Sequence, residues 1–331
     1  MPIVRAAVVQ AAPVGFDLEP TLERVRVLTA EAAAQGARLV VLPEAFVGGY
    51  PRGFDFGATI GSRTAEGREW FRRYHAGAID VPGPAVDALG GAARAAEVVL
   101  VVGVIERDQG TLYCTALTLG PDGRLLGKHR KLMPTAAERL IWGFGDGSTL
   151  AAVPTPIGRV GCVICWENYM PLLRMHMYAQ NVDFYCAPTA DARDSWQATM
   201  RHIALEGRCF VLGANQFCRR ADYPADYPGH FDTTAEPNPV VCRGGSVIVG
   251  PLGDVLAGPL FDAPGILTAD LDLDDRARSR FDFDPVGHYA RPDIFRLMVD
   301  DRPRPPVVTA SSRPTPVSST PSTPPPQEPR P

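Results

Sequence analysis

The sequence predicts one α/β domain built in layers around a mixed β-sheet or sheets. Two observations lead to this prediction. Strand-like and helix-like segments alternate from the start of the chain to about residue 271, and no interior linker divides them. Turn signals at Pro121-Asp-Gly and Pro251-Leu-Gly each separate two short strand-like runs, so hairpins accompany the alternating pattern.

Apolar spacing and helix-breaking residues locate the elements of the first half. Thr21–Gln35 has apolar residues at helical spacing and should end at Gly36. Val98–Glu106 is almost wholly apolar, which is typical of a strand buried on both faces. The predicted elements are, in chain order, a strand at 4–10, a helix at 21–35, a strand at 38–42, helices at 66–76 and 82–97, and strands at 98–106, 112–119 and 124–127.

The second half of the chain continues the alternation of strands and helices, is interrupted by a polar segment, and ends in a Pro-rich tail. After a strand that leads to Cys165, its predicted elements are a helix at 169–180, a strand at 183–187, a helix at 195–208, and strands at 209–214, 245–249, 254–257 and 265–271. Asp222–Val240 is polar and contains Pro and Tyr, which indicates a surface insertion. From Arg302 the chain is rich in Pro, Ser and Thr and cannot form a packed core. We therefore expect one folded domain over 1–301 and a disordered tail over 302–331.

Composition and charge argue against several classes of protein. The 331 residues carry a formal charge of −4 and no long block of Lys and Arg, so no nucleic-acid or anionic-membrane partner is expected. No apolar run approaches the ~20 residues of a membrane span, and the first residues lack the features of a signal peptide. Seven cysteines at irregular intervals suit reduced thiols better than a disulfide framework. The sequence predicts a soluble cytoplasmic protein.

Cys165 stands where an apolar, strand-like run becomes helical. A thiol at such a corner lies near the free N–H groups of the new helix, which favour the nucleophilic thiolate. Position alone leaves two equal alternatives for Cys165, a catalytic nucleophile or a buried packing residue.

The other cysteines have simpler interpretations. Cys162 and Cys165 form a Cys-x-x-Cys pair, which is compatible with a redox pair or half of a zinc site. Residues three apart in a strand point to opposite faces, and no second pair completes a metal site, so we expect Cys162 in the core and no metal. Cys114, Cys186 and Cys209 lie in apolar strands and are predicted to be small core residues.

Two carboxylates and a lysine form a chemically sensible set with this thiol. Glu44 follows a buried strand and can act as a base, and Lys131 can stabilise negative charge on a substrate atom under attack. Glu138 can hold the lysine or position a water. From the residues alone, each of the three is also compatible with a solvated surface group, and none of the six histidines is an obvious base.

Three segments resemble the catalytic segments of the nitrilases, in the carbon–nitrogen hydrolase superfamily. They are LPEAFVGGYPRG at 42–53, HRKLMPT at 129–135 followed by ERLIWG at 138–143, and CWEN at 165–168. The similarity runs from about residue 3 to about residue 300 and includes 187–191, 244–248 and 287–289. In detail the chain resembles the plant-type nitrilases that act on aryl-aliphatic nitriles and β-cyanoalanine.

The resemblance implies a four-layer αββα sandwich, no cofactor, and dimers that extend into spiral or filamentous homo-oligomers. It implies that Cys165 is the nucleophile, Glu44 the general base and Lys131 the charge-stabilising cation. Glu138 matches the family's additional glutamate, and the backbone N–H of Trp166 is placed to polarise the intermediate. Cys162 departs from the pattern, because many relatives have a small residue there.

The predicted reaction is hydrolysis of a small-molecule nitrile to a carboxylic acid and ammonia through a cysteine-bound thioimidate and thioester. Four aromatic residues are predicted to line the substrate pocket: Tyr50, Trp142, Trp166 and Trp196. An amidase of the same superfamily is the first alternative, since it uses the same Cys-Glu-Lys chemistry. A non-catalytic redox or metal-binding protein built on the Cys-x-x-Cys pair is the second.

Overall fold

The computed structural model describes residues 3–309. Its helices are α1 (Leu18–Ala34), α2 (Ala65–Ala76), α3 (Pro84–Ala95), α4 (Pro171–Ala179), α5 (Ser195–Gly207) and α6 (Asp274–Ser279). Its strands are β1 (Ile3–Gln10), β2 (Leu39–Val41), β3 (Ala58–Thr59), β4 (Ser62–Arg63), β5 (Ile79–Asp80), β6 (Val99–Asp108), β7 (Thr111–Leu119), β8 (Leu125–Arg130), β9 (Val153–Thr155), β10 (Gly158–Cys162), β11 (Phe184–Thr189), β12 (Phe210–Asn215), β13 (Phe217–Arg219), β14 (Val240–Val249), β15 (Val255–Phe261) and β16 (Gly265–Asp272). Short 3-10 helices cover Ala136–Leu140, Gly147–Thr149, Cys165–Tyr169 and Arg220–Asp222.

The strands form two mixed sheets of seven strands each and a small hairpin of β3 and β4. The first sheet has the order β16-β1-β2-β6-β7-β8, with β5 also paired to β6. The second has the order β13-β14-β12-β11-β10-β9, with β15 also paired to β14. Along each order the central pairs are parallel, as in β1–β2 and β10–β11, and the outer pairs are antiparallel. The short strand β5 pairs with β6 in parallel.

Three apolar clusters define the layers. Along β1, Val4 and Val8 belong to the cluster shared with the second sheet, whereas Ala7 and Val9 belong to the cluster beneath α1 and α3. This division follows from the period of two in a strand. A third cluster lies between the second sheet and helices α4 and α5. The order helix, sheet, sheet, helix confirms the predicted αββα sandwich.

Differences from the sequence prediction concern boundaries, loops and several short elements that were not predicted, namely β3, β4, β5, β9, β13 and α6. Strand β8 continues to Arg130, and a 3-10 helix precedes α4. The segment from Tyr223 to Pro239 has no helix or strand, as predicted. However, Tyr223 and Tyr227 are buried, and the Tyr223 hydroxyl donates to the carbonyl of Tyr50 at 3.2 Å. The segment therefore packs on the loop that follows Glu44 and is not simply a surface insertion.

The predicted tail is described only in part. Residues 302–309 are exposed and contain no helix or strand, and residues 310–331 lie outside the described residues, so disorder there stays a prediction. Within the described part of the chain, no helix has the length and apolar character needed to cross a membrane. The cytoplasmic location also stays a prediction.

Candidate active site

Glu44, Lys131 and Cys165 are brought together although 121 positions separate the first from the last in the numbering. Glu44 follows β2 and Lys131 follows β8 in the first sheet, whereas Cys165 begins a 3-10 helix after β10 in the second. All three side chains are buried between the sheets. The charged groups of the first sheet therefore meet the thiol of the second.

Lys131 bridges the two predicted carboxylates. Its Nζ donates to Glu44 Oε1 at 2.6 Å and to Glu138 Oε2 at 2.7 Å. Glu138 also accepts from the backbone N–H of Thr135 at 2.6 Å and from the hydroxyl of Tyr50 at 2.6 Å. Because charge-assisted hydrogen bonds of this length are strong when shielded from water, the lysine has little freedom to move.

Glu44 keeps one carboxylate oxygen free of protein partners. Its Oε2 is buried and has no hydrogen-bond partner among the described residues, while Oε1 binds Lys131 and accepts from the Cys114 thiol at 3.5 Å. Burial raises the pKa of Glu44, and the nearby Glu138 adds to this, although Lys131 opposes it. A buried carboxylate with a raised pKa and a free oxygen suits proton transfer at neutral pH.

Lys131 remains the cation of this group. Burial alone would lower its pKa, but Glu44 and the other acidic groups around it together outweigh burial, so the pKa of Lys131 lies well above its usual value. The ammonium group is thus a fixed positive charge beside the thiol.

The backbone at Cys165 is unusual for a residue with a side chain. Its φ is 52°, in the left-handed region, and it is the first residue of the 3-10 helix Cys165–Tyr169. The first N–H groups of a helix lack intrahelical acceptors, so those of Cys165 and Trp166 are available near the sulfur.

The expectation that the helix start favours a resting thiolate is wrong for Cys165. Burial raises the pKa of the Cys165 thiol well above its usual range, and the carboxylate of Glu44 raises it further. Lys131 and a 3.2 Å hydrogen bond from the Thr189 hydroxyl act in the opposite direction. Burial and Glu44 thus favour the thiol over the thiolate, so the sulfur needs a base as it attacks.

The two thiols of the Cys-x-x-Cys pair have different neighbours. The chain leaves β10 after Cys162, so both residues lie in the cluster between the sheets rather than on opposite faces. Cys162 is 3.7 Å from Thr118 Oγ1 and pairs in register with Cys186, whereas Cys165 contacts Thr189. Among residues 3–309 no three His, Cys, Asp or Glu side chains are grouped so that they could hold a metal ion.

Glu167 joins the nucleophile segment to the lysine segment, and the sequence interpretation missed it. Its carboxylate accepts from the N–H of Ile164 at 2.8 Å, from the N–H of Leu132 at 2.6 Å and faces His129 Nε2 at 3.0 Å. Ile164 precedes Cys165 and Leu132 follows Lys131. One buried carboxylate therefore holds the backbone next to both catalytic residues. The only sequence signal was its place in the Cys-Trp-Glu-Asn segment.

A buried amide pair at the end of β12, Asn215 and Gln216, supports the loops that follow β2 and β11. Gln216 Nε2 donates to the carbonyl of Glu44 at 2.7 Å, and Asn215 Nδ2 donates to the carbonyl of Asp191 at 2.7 Å. Both side chains are fully buried. Sequence reasoning had no signal for them beyond polar residues at the end of an apolar strand.

Three of the four predicted pocket residues border the catalytic group. Trp142 lies edge-on to Tyr50 at 5.7 Å between ring centroids, and its ring centre is 5.6 Å from Lys131 Nζ. Trp166 is 42% exposed, and its indole N–H donates to Asp191 at 2.9 Å. These rings offer apolar, aromatic walls next to the reactive groups.

Trp196 lies elsewhere, and its predicted place in the pocket is not supported. It is fully buried in the cluster between α5 and the second sheet. The apolar residues of α5 recur at helical spacing, which turns that face toward the sheet and away from Cys165. The buried residues of α5 are Trp196, Met200, Ile203, Ala204 and Gly207.

Comparisons with known proteins agree with this geometry. A family profile described as carbon-nitrogen hydrolase matches residues 5–281. The chain is 60% identical over 314 residues to a bifunctional nitrilase/nitrile hydratase, NIT4A, of Lupinus angustifolius, covering 94% of this chain and 90% of that protein. It is 62% identical over 305 residues to an aliphatic nitrilase of Sinorhizobium fredii (strain HH103), covering 92% and 98%.

A solved structure shows the same fold at lower sequence identity. The crystal structure of a carbon–nitrogen hydrolase from Helicobacter pylori G27 superimposes with a TM-score of 0.66 at 22% identity, covering 88% of this chain and 97% of that chain. The profile match spans most of the residues between β1 and α6, including all three predicted catalytic segments. The chain belongs to the carbon–nitrogen hydrolase family.

Proposed function

We propose that the chain hydrolyses an organic nitrile to the carboxylic acid and ammonia. The observation that carries the proposal is the buried group in which Lys131 bridges Glu44 and Glu138 beside the Cys165 thiol. Relatives at about 60% identity that are named nitrilases indicate a nitrile as the substrate. The overall reaction consumes one nitrile and two waters and is redox-neutral, so it needs no oxidant or reductant.

The first step is attack of sulfur on the nitrile carbon. Glu44 takes the thiol proton as the sulfur–carbon bond forms. It then passes this proton to the nitrile nitrogen as the carbon–nitrogen triple bond becomes a double bond, which gives a neutral thioimidate and restores the Glu44 carboxylate. A carboxylate with a normal pKa is a weak base. The raised pKa of Glu44 makes its carboxylate a stronger base, which is better suited to removing the thiol proton. Lys131 and the N–H of Trp166 stabilise negative charge that develops on the substrate.

Two waters complete the reaction. Glu44 activates the first water, which adds to the thioimidate carbon and gives a tetrahedral species carrying sulfur, oxygen and nitrogen. Nitrogen leaves as ammonia, and the second water then hydrolyses the thioester, releasing the acid and restoring the thiol. Glu138 holds Lys131 in place throughout, through the 2.7 Å contact between Oε2 and Nζ.

The tetrahedral species also has a second exit. If sulfur leaves before nitrogen, the product is the amide rather than the acid. Relatives named bifunctional nitrilase/nitrile hydratase indicate that both exits are used in this part of the family. We therefore propose that this chain releases some amide as well.

Assays on matched pairs of substrates distinguish a nitrilase from an amidase. We expect ammonia and acid from a nitrile, and little or no ammonia from the amide of the same acid. Suitable pairs derive from aromatic, arylacetonitrile, aliphatic and β-cyanoalanine substrates. Ammonia from the amides alone would contradict the proposal and favour the amidase, and a chromatographic measure of amide gives the split between the two exits.

We also propose that the chain forms homo-oligomers, at least dimers. Apolar side chains are exposed on neighbouring segments of the second helical layer, namely Tyr169, Leu172 and Leu205. Light scattering should give a mass of at least twice the 35.6 kDa of one chain. Leu172→Arg should lower that mass, whereas Val27→Arg on α1 should not. A monomeric mass for the unmodified chain would contradict the proposal.

A further inference from the structure

The buried hydroxyl of Thr189 lies against the reactive sulfur. Thr189 closes β11 and is fully buried, and its Oγ1 is 3.2 Å from Cys165 Sγ. Strand β11 lies beside β10, the strand that leads to Cys165. The contact therefore joins two adjacent strands of one sheet at the point where both enter the active site.

In this hydrogen bond the hydroxyl is the donor and the sulfur is the acceptor. The backbone N–H of Asp191 donates to Thr189 Oγ1 at 3.0 Å. A hydroxyl has one proton and two lone pairs, so accepting from Asp191 leaves the proton of Thr189 available for the sulfur. Of the hydrogen bonds within residues 3–309, these two alone involve Thr189 Oγ1.

Asp191, whose N–H donates to Thr189, is itself held in place by further hydrogen bonds. The carbonyl of Asp191 accepts from Asn215, and its carboxylate accepts from the indole of Trp166 at 2.9 Å and from Arg193 Nε at 2.8 Å. Thr189 is β-branched, so few side-chain rotamers are open to it. The O–H dipole is therefore aimed at the sulfur before any substrate arrives.

We propose that Thr189 is a further catalytic residue, whose hydroxyl donates a hydrogen bond to the Cys165 sulfur as negative charge develops there. This inference rests on the proposed function. The charge appears when Glu44 takes the thiol proton, and again when the carbon–sulfur bond of the thioester breaks. The hydroxyl proton stays on oxygen in both steps, so no bond to it forms or breaks.

The hydrogen bond from the Thr189 hydroxyl should stabilise the Cys165 thiolate substantially. Burial and Glu44 both disfavour the thiolate of Cys165, so a fixed donor has much to offset. A hydrogen bond to a charged atom is stronger than one to a neutral atom, and burial strengthens it further. The other ionisable groups that face Cys165 are Glu44, Glu138, Lys131, Tyr50 and Arg193.

The test is alkylation of Cys165 by iodoacetamide, which needs no nitrile. The thiolate displaces iodide, and mass spectrometry of the Cys165 peptide gives the rate constant at each pH. Thr189→Val keeps the shape but removes the hydroxyl, and we expect the rate constant near neutral pH to fall about tenfold to a hundredfold. Thr189→Ser restores the hydroxyl and should stay within about threefold of the unmodified chain.

A merely structural role predicts a different result. If folded Thr189→Val is alkylated at Cys165 as fast as the unmodified chain across the pH range, with an unchanged kcat on a nitrile, the inference is wrong. Should valine prevent folding, Thr189→Ala is measured in the same way against Thr189→Ser. A failure to hydrolyse any nitrile would overturn the proposed function but would leave the alkylation result as a test of Thr189.

Discussion

We expect Cys165→Ala to release no measurable ammonia from any nitrile or amide, a loss of more than about 10⁴-fold in kcat. The reason is that alanine cannot form the covalent thioimidate. Cys114 is also beside Glu44, but its thiol donates to Oε1, the oxygen that Lys131 holds. Sulfur is a single heavy atom in a buried site, so its removal should cost less than about 2 kcal/mol of unfolding free energy. Ammonia assays and thermal melts measure the two effects.

Cys162→Ala is the matched control. Cys162 is also a buried thiol, three positions earlier in the chain, but its partners are Thr118 and the neighbouring strand. We expect this variant to keep kcat within about threefold, since it removes no group from the catalytic set. Activity in folded Cys165→Ala, or its loss in folded Cys162→Ala, would show that the nucleophile is misassigned.

These two cysteines show what the sequence could and could not predict. Periodicity placed the strand before Cys165, and the position of the thiol after it left a core role and a catalytic role equally open. Resemblance in three separated segments selected the catalytic role and named Glu44 and Lys131 as its partners. The structure brings Cys165, Glu44 and Lys131 into one buried group, as that resemblance implies.

Side-chain environments were less predictable than elements. The Cys165 thiol was expected to be acidic because it begins a helix, but its pKa also depends on burial and on Glu44 from the other sheet. Neither effect is visible in local sequence. Cys114 was predicted to be a simple core residue, yet its thiol also contacts Glu44, because β7 runs beside the strand end that carries Lys131.

Contacts across adjacent strands had no sequence signal at all. Thr189 is 24 positions from Cys165, and only the parallel register of β10 and β11 places its hydroxyl against the sulfur. Trp196 is the opposite case, an aromatic residue placed in the pocket by residue type alone. Its helical neighbours direct it into the core instead. Pairing register and helix facing, rather than residue type, decide which side chains reach the site.

Lys131→Met should remove both activity and stability. Lys131 is fully buried and is the cation for two carboxylates, at 2.6 Å from Glu44 and 2.7 Å from Glu138. We expect kcat to fall at least about a thousandfold, because the variant loses a charge-stabilising donor and leaves Glu44 unanchored. Breaking a buried ion pair from one side typically costs about 3–5 kcal/mol of unfolding free energy. Denaturant titration and ammonia release measure the two losses.

The loss of stability in Lys131→Met should depend on pH, because the variant still contains the carboxylates of Glu44 and Glu138. Without Lys131, two buried carboxylates share one site, so the pKa of at least one of them rises above its value in the unfolded chain. The folded variant then holds a proton that the unfolded chain has released, and stability falls as pH rises through this window. We expect the stability deficit of Lys131→Met relative to the unmodified chain to be larger near pH 8 than near pH 5.

Adding Glu44→Gln to Lys131→Met separates the two roles of the lysine. The double variant has one buried carboxylate fewer, so it should recover part of the lost stability and most of the pH sensitivity should disappear. Activity should not recover, because the base is now gone as well. If the double variant is no more stable than Lys131→Met, the lysine does not act by balancing Glu44. If Lys131→Met itself keeps normal activity, the charge-stabilising role proposed for Lys131 is wrong.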